Sequence, residues 1–295
     1  MTRRTSNRSR VRPVRQSLME YGRGVAGGLI FSLPLLYTME VWWAGFGAHP
    51  WRLIIYVAAT FVLLLGYNRY AGVRRDASMT EVAIDSVEEL GLGLVLGALA
   101  LWLLGRVTGE MSASEIVGRI VIEAMVVAIG VSVGTSQLGG DADEGMGEPT
   151  RAEAGATDRR EHEEIHFSGQ LVIALCGAVL FAANVAPTEE VVLIAAEISP
   201  WRTLGLALFS LTLGALVLYF SEFRGAERFV PGGSNAVSIF VGTVITYAAG
   251  LLVSALVLWF FGRFDGQAIA MCLTQTVVLG VPATLGASAG RLLLQ

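Results

Sequence analysis

The sequence predicts an all-α fold, a polytopic bundle of transmembrane helices, and three observations support this prediction. Of the 295 residues, 54% are hydrophobic and only 16% are charged, too few polar groups to cover a water-facing surface. The mean hydropathy is +0.60. Long apolar stretches recur along the whole chain, and charged residues collect between them. Lipid must therefore cover much of the folded protein.

The apolar stretches define the predicted helices. A helix needs roughly 20 apolar residues to cross a hydrocarbon core of about 30 Å, and a helix satisfies all its own backbone hydrogen bonds there. The chain offers about eight such stretches, at residues 24–43, 53–71, 89–104, 116–133, 167–185, 204–220, 237–261 and 267–285.

The arginines predict the orientation of these helices. Residues 1–23 form a basic tail, and most of the remaining arginines fall in segments that share its side of the membrane. Because positively charged loops stay in the cytoplasm, we expect both termini to be cytoplasmic and the protein to lie in the plasma membrane. Trp42, Trp51 and Trp201 then lie at the outer interface, where indole rings are enriched.

An internal duplication is the most specific pattern in the sequence. A shift of about 150 residues aligns a tryptophan, a proline and an intramembrane glutamate, which shared hydrophobicity does not explain. The aligned pairs are Gly27 with Gly177, Phe31 with Phe181, Thr38 with Thr188, Glu40 with Glu190, Pro50-Trp51-Arg52 with Pro200-Trp201-Arg202 and, at a slightly larger shift, Trp102 with Trp259, Arg106 with Arg263 and Glu123 with Gln275.

The duplication predicts two tandem four-helix repeats, at residues 24–136 and 167–295. Because each unit has an even number of crossings, the two repeats should lie in parallel orientation, related by an axis along the membrane normal. Residues 137–166 join them and are rich in Gly, Asp, Glu and Arg. Such a composition favours an acidic, flexible cytoplasmic linker.

Two intramembrane glutamates are the first candidates for a functional site. Glu40 lies in an apolar run, and Glu190 occupies the aligned position in the second repeat. Carboxylates in hydrocarbon cost on the order of 2 to 4 kcal/mol, so they normally face the bundle interior and bind a cation or a proton. A proline shortly before each one frees a backbone carbonyl. Thr38 and Thr188 would add hydroxyl ligands if the helix unwinds there.

A third carboxylate lies at a similar predicted depth. Glu123 falls about two turns below the outer end of its helix, and Gln275 holds the aligned position. We therefore expect Glu40, Glu190 and Glu123, with Thr38, Thr188 and Gln275 as neutral ligands, to bind a cation or proton. The alternative is that Glu40 and Glu190 reach the outer headgroups and anchor the interface.

A short motif points to a different class of protein. His162, Glu163 and His166 match H-E-x-x-H, which on a helix places two imidazoles one turn apart to bind zinc. The motif lies in the polar linker, and the remaining histidine, His49, is on the opposite side of the membrane. A solvated helix start explains the same residues.

The run from Phe31 to Trp42, Phe-Ser-Leu-Pro-Leu-Leu-Tyr-Thr-Met-Glu-Val-Trp, carries a family resemblance. It resembles the most recognisable stretch of a bacterial family of integral membrane proteins of unknown function, and the likeness covers most of the chain. The resemblance implies a helical fold in the bacterial inner membrane, and it implies nothing about chemistry.

Three functional hypotheses follow. The first is a secondary transporter or channel for a cation or proton. The second is a membrane metalloprotease, which predicts that the protein binds zinc and that replacing His162 and His166 by alanine removes it. The third is a scaffold or sensor that docks a protein partner through residues 137–166 and transports nothing. The balance is against an enzyme, no cofactor or nucleic acid is expected, and no nucleotide-binding loop supports ATP-driven pumping.

Overall fold

The computed structural model describes the backbone of residues 14–72, 77–137, 156–223 and 235–293. Every regular element in these ranges is a helix, which confirms the all-α prediction. The helices are α1 (Val14–Leu36), α2 (Met39–Gly47), α3 (Pro50–Tyr70), α4 (Met79–Leu103), α5 (Ala113–Gln137), α6 (Ala156–Val185), α7 (Glu189–Glu197), α8 (Pro200–Phe223), α9 (Asn235–Phe260) and α10 (Ile269–Leu293).

The described helices fit a polytopic membrane protein. Seven of them are individually long and apolar enough to cross a membrane, and the bent pair α1–α2 makes eight if it counts as one span. The predicted polytopic helix bundle is therefore confirmed.

The first predicted span, 24–43, is not one straight helix. α1 ends at Leu36, and α2 begins at Met39 at an angle of 86°. Pro34 lacks a backbone N–H, and Thr38 adopts an extended conformation with φ −97° and ψ 112°. The Thr38 hydroxyl donates to the Pro34 carbonyl at 2.6 Å, so a side chain replaces a helical hydrogen bond at the break.

We call α1–α5 the first series of helices and α6–α10 the second series. The second series breaks at the position that the sequence aligns with Thr38. α6 ends at Val185, α7 begins at Glu189, and Thr188 is extended with φ −74° and ψ 153°. Pro187 lies in this break and disfavours helical geometry at the residue before it. Unwinding at both threonines agrees with the expectation drawn from the prolines.

One predicted boundary needs correction. α4 begins at Met79 rather than near residue 89, because Ser78 and Glu81 form a capping box. The span predicted at 167–185 coincides with the apolar part of α6, although the helix itself begins at Ala156; α1 likewise begins before its span, at Val14, since Arg, Glu and Ala extend helices beyond apolar stretches. The rest of the tail and linker, 1–13 and 138–155, lies outside the described residues.

α5 and α10 lie at the centre of the two series. α5 contacts α1, α2, α3 and α4, and α10 contacts α6, α7, α8 and α9. Glycine allows the closest of these approaches: a Cβ at Gly27 would overlap the backbone of Gly134 in α5. The order of one long, one short and three long helices thus occurs in α1–α5 and again in α6–α10. The duplication itself stays a prediction.

Candidate functional site

Glu123 is the most enclosed carboxyl group of the described structure. Its side chain is 0% exposed, and neither carboxylate oxygen has a hydrogen-bond partner among the described residues. The cause is its place on α5, of which 72% is buried, the largest share of the seven spans. The sequence therefore puts an acid at the centre of the first series of helices.

Glu123 lies where three helices meet. A Cβ at Gly97 of α4 would lie 3.6 Å from the Glu123 Cβ, so α4 approaches closely at this level. Tyr56 of α3 lies near enough to interact electrostatically with Glu123, and its hydroxyl is buried without a partner in the described part of the chain. Two buried polar side chains without hydrogen-bond partners in the described ranges thus lie near each other within an apolar bundle.

The nearest cation on the same helix is engaged elsewhere. Arg119 precedes Glu123 by one turn, but its guanidinium donates to the Glu115 carboxylate at 2.6 Å and to the Arg106 carbonyl at 2.7 Å. Arg119 thus turns toward the N-terminal end of α5, and Glu123 receives no charge-assisted hydrogen bond from it.

Gln275 repeats this situation on α10. It is 0% exposed, and neither atom of its amide group has a partner within the described ranges. The positions that the sequence aligned therefore both hold a long polar side chain that is fully enclosed, one an acid and one an amide.

The glutamates at the two breaks lie in more open surroundings. Glu40 is half-buried in the first turn of α2, and Glu190 is exposed in the first turn of α7. A helix N-terminus stabilises negative charge at both places. The Thr188 hydroxyl donates to the Val185 carbonyl at 2.8 Å, as the Thr38 hydroxyl does to Pro34.

Hydrogen bonding favours the charged form of Glu190. Its own backbone N–H first, then the Thr188 hydroxyl and the nearby Arg263 guanidinium, lower the pKa of this carboxyl below its ordinary value. Arg263 also donates to the Pro187 carbonyl within the break. A backbone carbonyl within this break is thus already occupied by an arginine.

The predicted carboxylates are not gathered into one metal-type cluster. Within the described ranges, no three His, Cys, Asp or Glu side chains are grouped so that they could hold a metal ion. The H-E-x-x-H residues His162, Glu163 and His166 fall in the helical backbone of α6, but their side chains lie outside the described residues.

The sequence analysis missed one further carboxyl between the helices, that of Glu89. Glu89 of α4 accepts a hydrogen bond from the Asn68 amide of α3 at 2.7 Å, and the same amide donates to Ser86 at 3.1 Å. Ser132 of α5 donates to the Asn68 carbonyl oxygen at 3.0 Å. We call these four residues the Asn68 network; it ties α3, α4 and α5 together.

The capping box at the start of α4 is the signal that would have revealed Glu89. Ser78 and Glu81 match the S-x-x-E pattern, which starts the helix at Met79 and carries Glu89 into its third turn. The predicted span 89–104 placed residue 89 at its edge, so its carboxyl was not counted among the intramembrane acids.

Glu123, which is fully buried, and Glu89, which is partly buried, lie at different depths between the same helices. Glu123 and Ser132 are nine residues apart on α5, which corresponds to about 13 Å along the helix axis. Tyr56 accompanies the first carboxyl and Asn68 the second, both from α3. The contact between α3, α4 and α5 therefore contains two separate polar sites.

Comparisons with known proteins agree with this architecture. No curated protein and no solved structure matches the chain. A family model described as "Putative integral membrane protein (DUF2391)" matches residues 20–294, which include all seven spans and both breaks. The chain therefore belongs to this family of integral membrane proteins.

Proposed function

We propose that the protein is a secondary transporter or channel that moves protons, with Glu123 as its central exchange group. The observation that carries this proposal is a fully enclosed carboxyl in a membrane helix that has no hydrogen-bond partner among the described residues. Intramembrane acids are costly, and they mark proton relays and ion pathways more often than structural contacts.

The surroundings of Glu123 favour a proton over a metal cation. A buried carboxyl without a partner costs far less in its neutral, proton-bound form than as an anion. Hard metal cations take about six or more oxygen ligands, whereas Tyr56 is the one polar side chain that the described structure couples to Glu123. A proton needs only the one carboxyl.

The other polar groups extend this site in both directions. The Asn68 network supplies a second carboxyl, Glu89, about 13 Å further along α5. Glu40 with Thr38, and Glu190 with Thr188, lie at the breaks, where open surroundings suit proton entry from water. Gln275 carries no acidic proton, so we assign conduction to the first series of helices.

The proposal includes the duplication and the orientation. The order of helix lengths, the breaks at Thr38 and Thr188, and the central positions of α5 and α10 support two tandem repeats in parallel orientation. The arginine distribution supports cytoplasmic termini, and with the family resemblance it favours the bacterial inner membrane.

Proton flux into reconstituted vesicles tests the proposal. We expect a pH gradient across vesicles to decay faster with the wild-type protein than without it, and Glu123→Gln to abolish that difference. Glu197→Gln is the matched control, since Glu197 is an exposed carboxyl at the end of α7. A paired Glu40→Gln and Glu190→Gln variant should slow the flux without abolishing it. Unaltered flux in Glu123→Gln would remove the proposal.

A further inference from the structure

The two series of helices meet through two different surfaces. α3 of the first packs against α6 of the second. At the outer end, Arg52 donates to both carboxylate oxygens of Asp265 at 2.9 Å, and its guanidinium lies 5.7 Å from the ring centroids of Trp51 and Trp259. An interface between unlike surfaces is heterologous, so it leaves one surface of each kind to be filled.

The same interface continues deeper into the membrane. The ring of Tyr56 stacks on Phe260 with centroids 4.3 Å apart. Further along α3, a Cβ at Gly66 would lie 3.0 Å from a methyl group of Val172 in α6. The Val172 side chain of α6 therefore packs into the space that the absence of a side chain at Gly66 leaves on α3.

The aligned surfaces of the opposite series are exposed. Trp201 and Trp102, aligned with Trp51 and Trp259, are 81% and 64% exposed. α9, which places Trp259 and Phe260 against Trp51 and Tyr56 of α3, is 50% buried, whereas its counterpart α4 is 28% buried. One chain thus presents both an unused α8 surface and an unused surface of α1 and α4.

We propose that these two surfaces bind a second copy of the chain, with α8 of one copy seated against α1 and α4 of the next. Trp201 would then meet Trp102 of the neighbouring copy, and Arg202 would lie beside its Glu110, two residues beyond the position aligned with Asp265. All four residues are exposed at the outer ends of their helices or in the adjoining loop.

Steric complementarity supports the same occupant. The residues aligned with Gly66 and Val172 are Leu216 and Gly22, so the large and small partners are exchanged. Leu216 is 51% exposed, and a Cβ at Gly22 would meet no described atom within 4 Å. Within the chain, glycine lies on α3 and the large side chain on α6. On the surfaces that would meet between chains, the large side chain lies on α8 and glycine lies on α1. A heterologous contact that repeats about an axis along the membrane normal closes into a ring when its rotation divides a full turn.

Thiol cross-linking between co-expressed chains tests the inference. One chain carries Trp102→Cys and the other Trp201→Cys, both in a background lacking Cys176 and Cys272. We expect a flexible bis-maleimide, which can span the gap left by two removed indole rings, to link two chains only when both variants are present. Replacing Trp102→Cys by Phe46→Cys, 69% exposed on α2 outside either surface, should give no link.

Charge reversal adds a quantitative readout. Arg202→Glu should lower the linked fraction about fivefold, as expected for losing one exposed ion pair, and Glu110→Arg in the neighbouring chain should restore it. Trp51→Cys with Trp259→Cys in one chain should close internally; if that pair does not form, the template interface is absent and the inference falls with it.

Two results would overturn the inference. One is a monomer of 31.4 kDa in lipid nanodiscs together with no Trp102–Trp201 link. The other is linking by the Trp201→Cys chain alone, which would mean a symmetric contact. The inference rests on the duplication and not on proton movement, so chains that link but conduct nothing would remove the proposed function and leave the assembly.

Discussion

Replacing Glu123 or Glu89, the two glutamates between α3, α4 and α5, by methionine should shift stability in opposite directions. Glu123 is fully enclosed, and its carboxylate oxygens have no partner in the described residues. An acid at the centre of a membrane helix costs about 2.5–3.5 kcal/mol on insertion scales. Methionine has a similar volume and no polar hydrogen-bonding demand, so Glu123→Met should raise the free energy of unfolding by about 2 kcal/mol.

Glu89 is the matched contrast on a neighbouring helix. It accepts a hydrogen bond from the Asn68 amide at 2.7 Å, and Asn68 is itself held by Ser132 at 3.0 Å. Glu89→Met removes this acceptor and leaves part of the network unsatisfied, which costs about 1–3 kcal/mol. The free energy of unfolding should therefore fall.

The assay is unfolding by SDS titration in mixed micelles, followed by far-UV circular dichroism, on wild type and both variants. The account expects the Glu123→Met midpoint above, and the Glu89→Met midpoint below, that of wild type. A Glu123→Met protein that loses as much stability as Glu89→Met would show that Glu123 is held by structural hydrogen bonds. The reasoning about its enclosed carboxyl would then be wrong.

Three further outcomes check other parts of the structure. Gly93→Ala should destabilise the bundle by about 1–3 kcal/mol in the same titration, because the new Cβ would lie 2.5 Å from a carbonyl oxygen of α5; Gly91→Ala, which meets no described atom within 4 Å, should not. Thr188→Val should raise the pKa of Glu190 toward its ordinary value in a ¹³C-carboxyl NMR titration. Since the pKa of Glu190 is lowered in the folded state, the ionised carboxylate stabilises the fold above the ordinary pKa, and this stabilisation is lost as the pH falls through the folded-state pKa. Arg52→Ala should lower the free energy of unfolding by about 1 kcal/mol, the scale of an exposed ion pair with cation–π contacts.

The architecture was predictable because lipid imposes simple rules. Apolar segments of about 20 residues are long enough to cross the hydrocarbon core, and within it a helix satisfies its own backbone hydrogen bonds. These two facts predict helices directly. The break near Thr38 was also within reach, since Pro34 removes a helical hydrogen bond. The 86° bend was not, because the angle depends on how α2 packs on α5.

The candidate site was only partly predictable. Glu123 was identified by its predicted depth and Gln275 by the alignment of the sequence on itself, and both prove to be fully enclosed. Glu40 is half-buried and Glu190 is exposed, and hydropathy does not report that a helix ends just before each of them. Glu89 was missed because its acceptance of the Asn68 amide is a contact between helices, which spacing along one helix does not reveal.

The most direct test of the central claim is infrared difference spectroscopy of the protein in lipid near neutral pH, comparing wild type with Glu123→Gln. Glutamine is the natural choice because Gln275 already occupies the aligned enclosed position. The account predicts a carbonyl-stretch band of a protonated carboxylic acid that shifts in D₂O and is missing from Glu123→Gln. A wild-type spectrum in which Glu123 contributes only ionised carboxylate bands would contradict it.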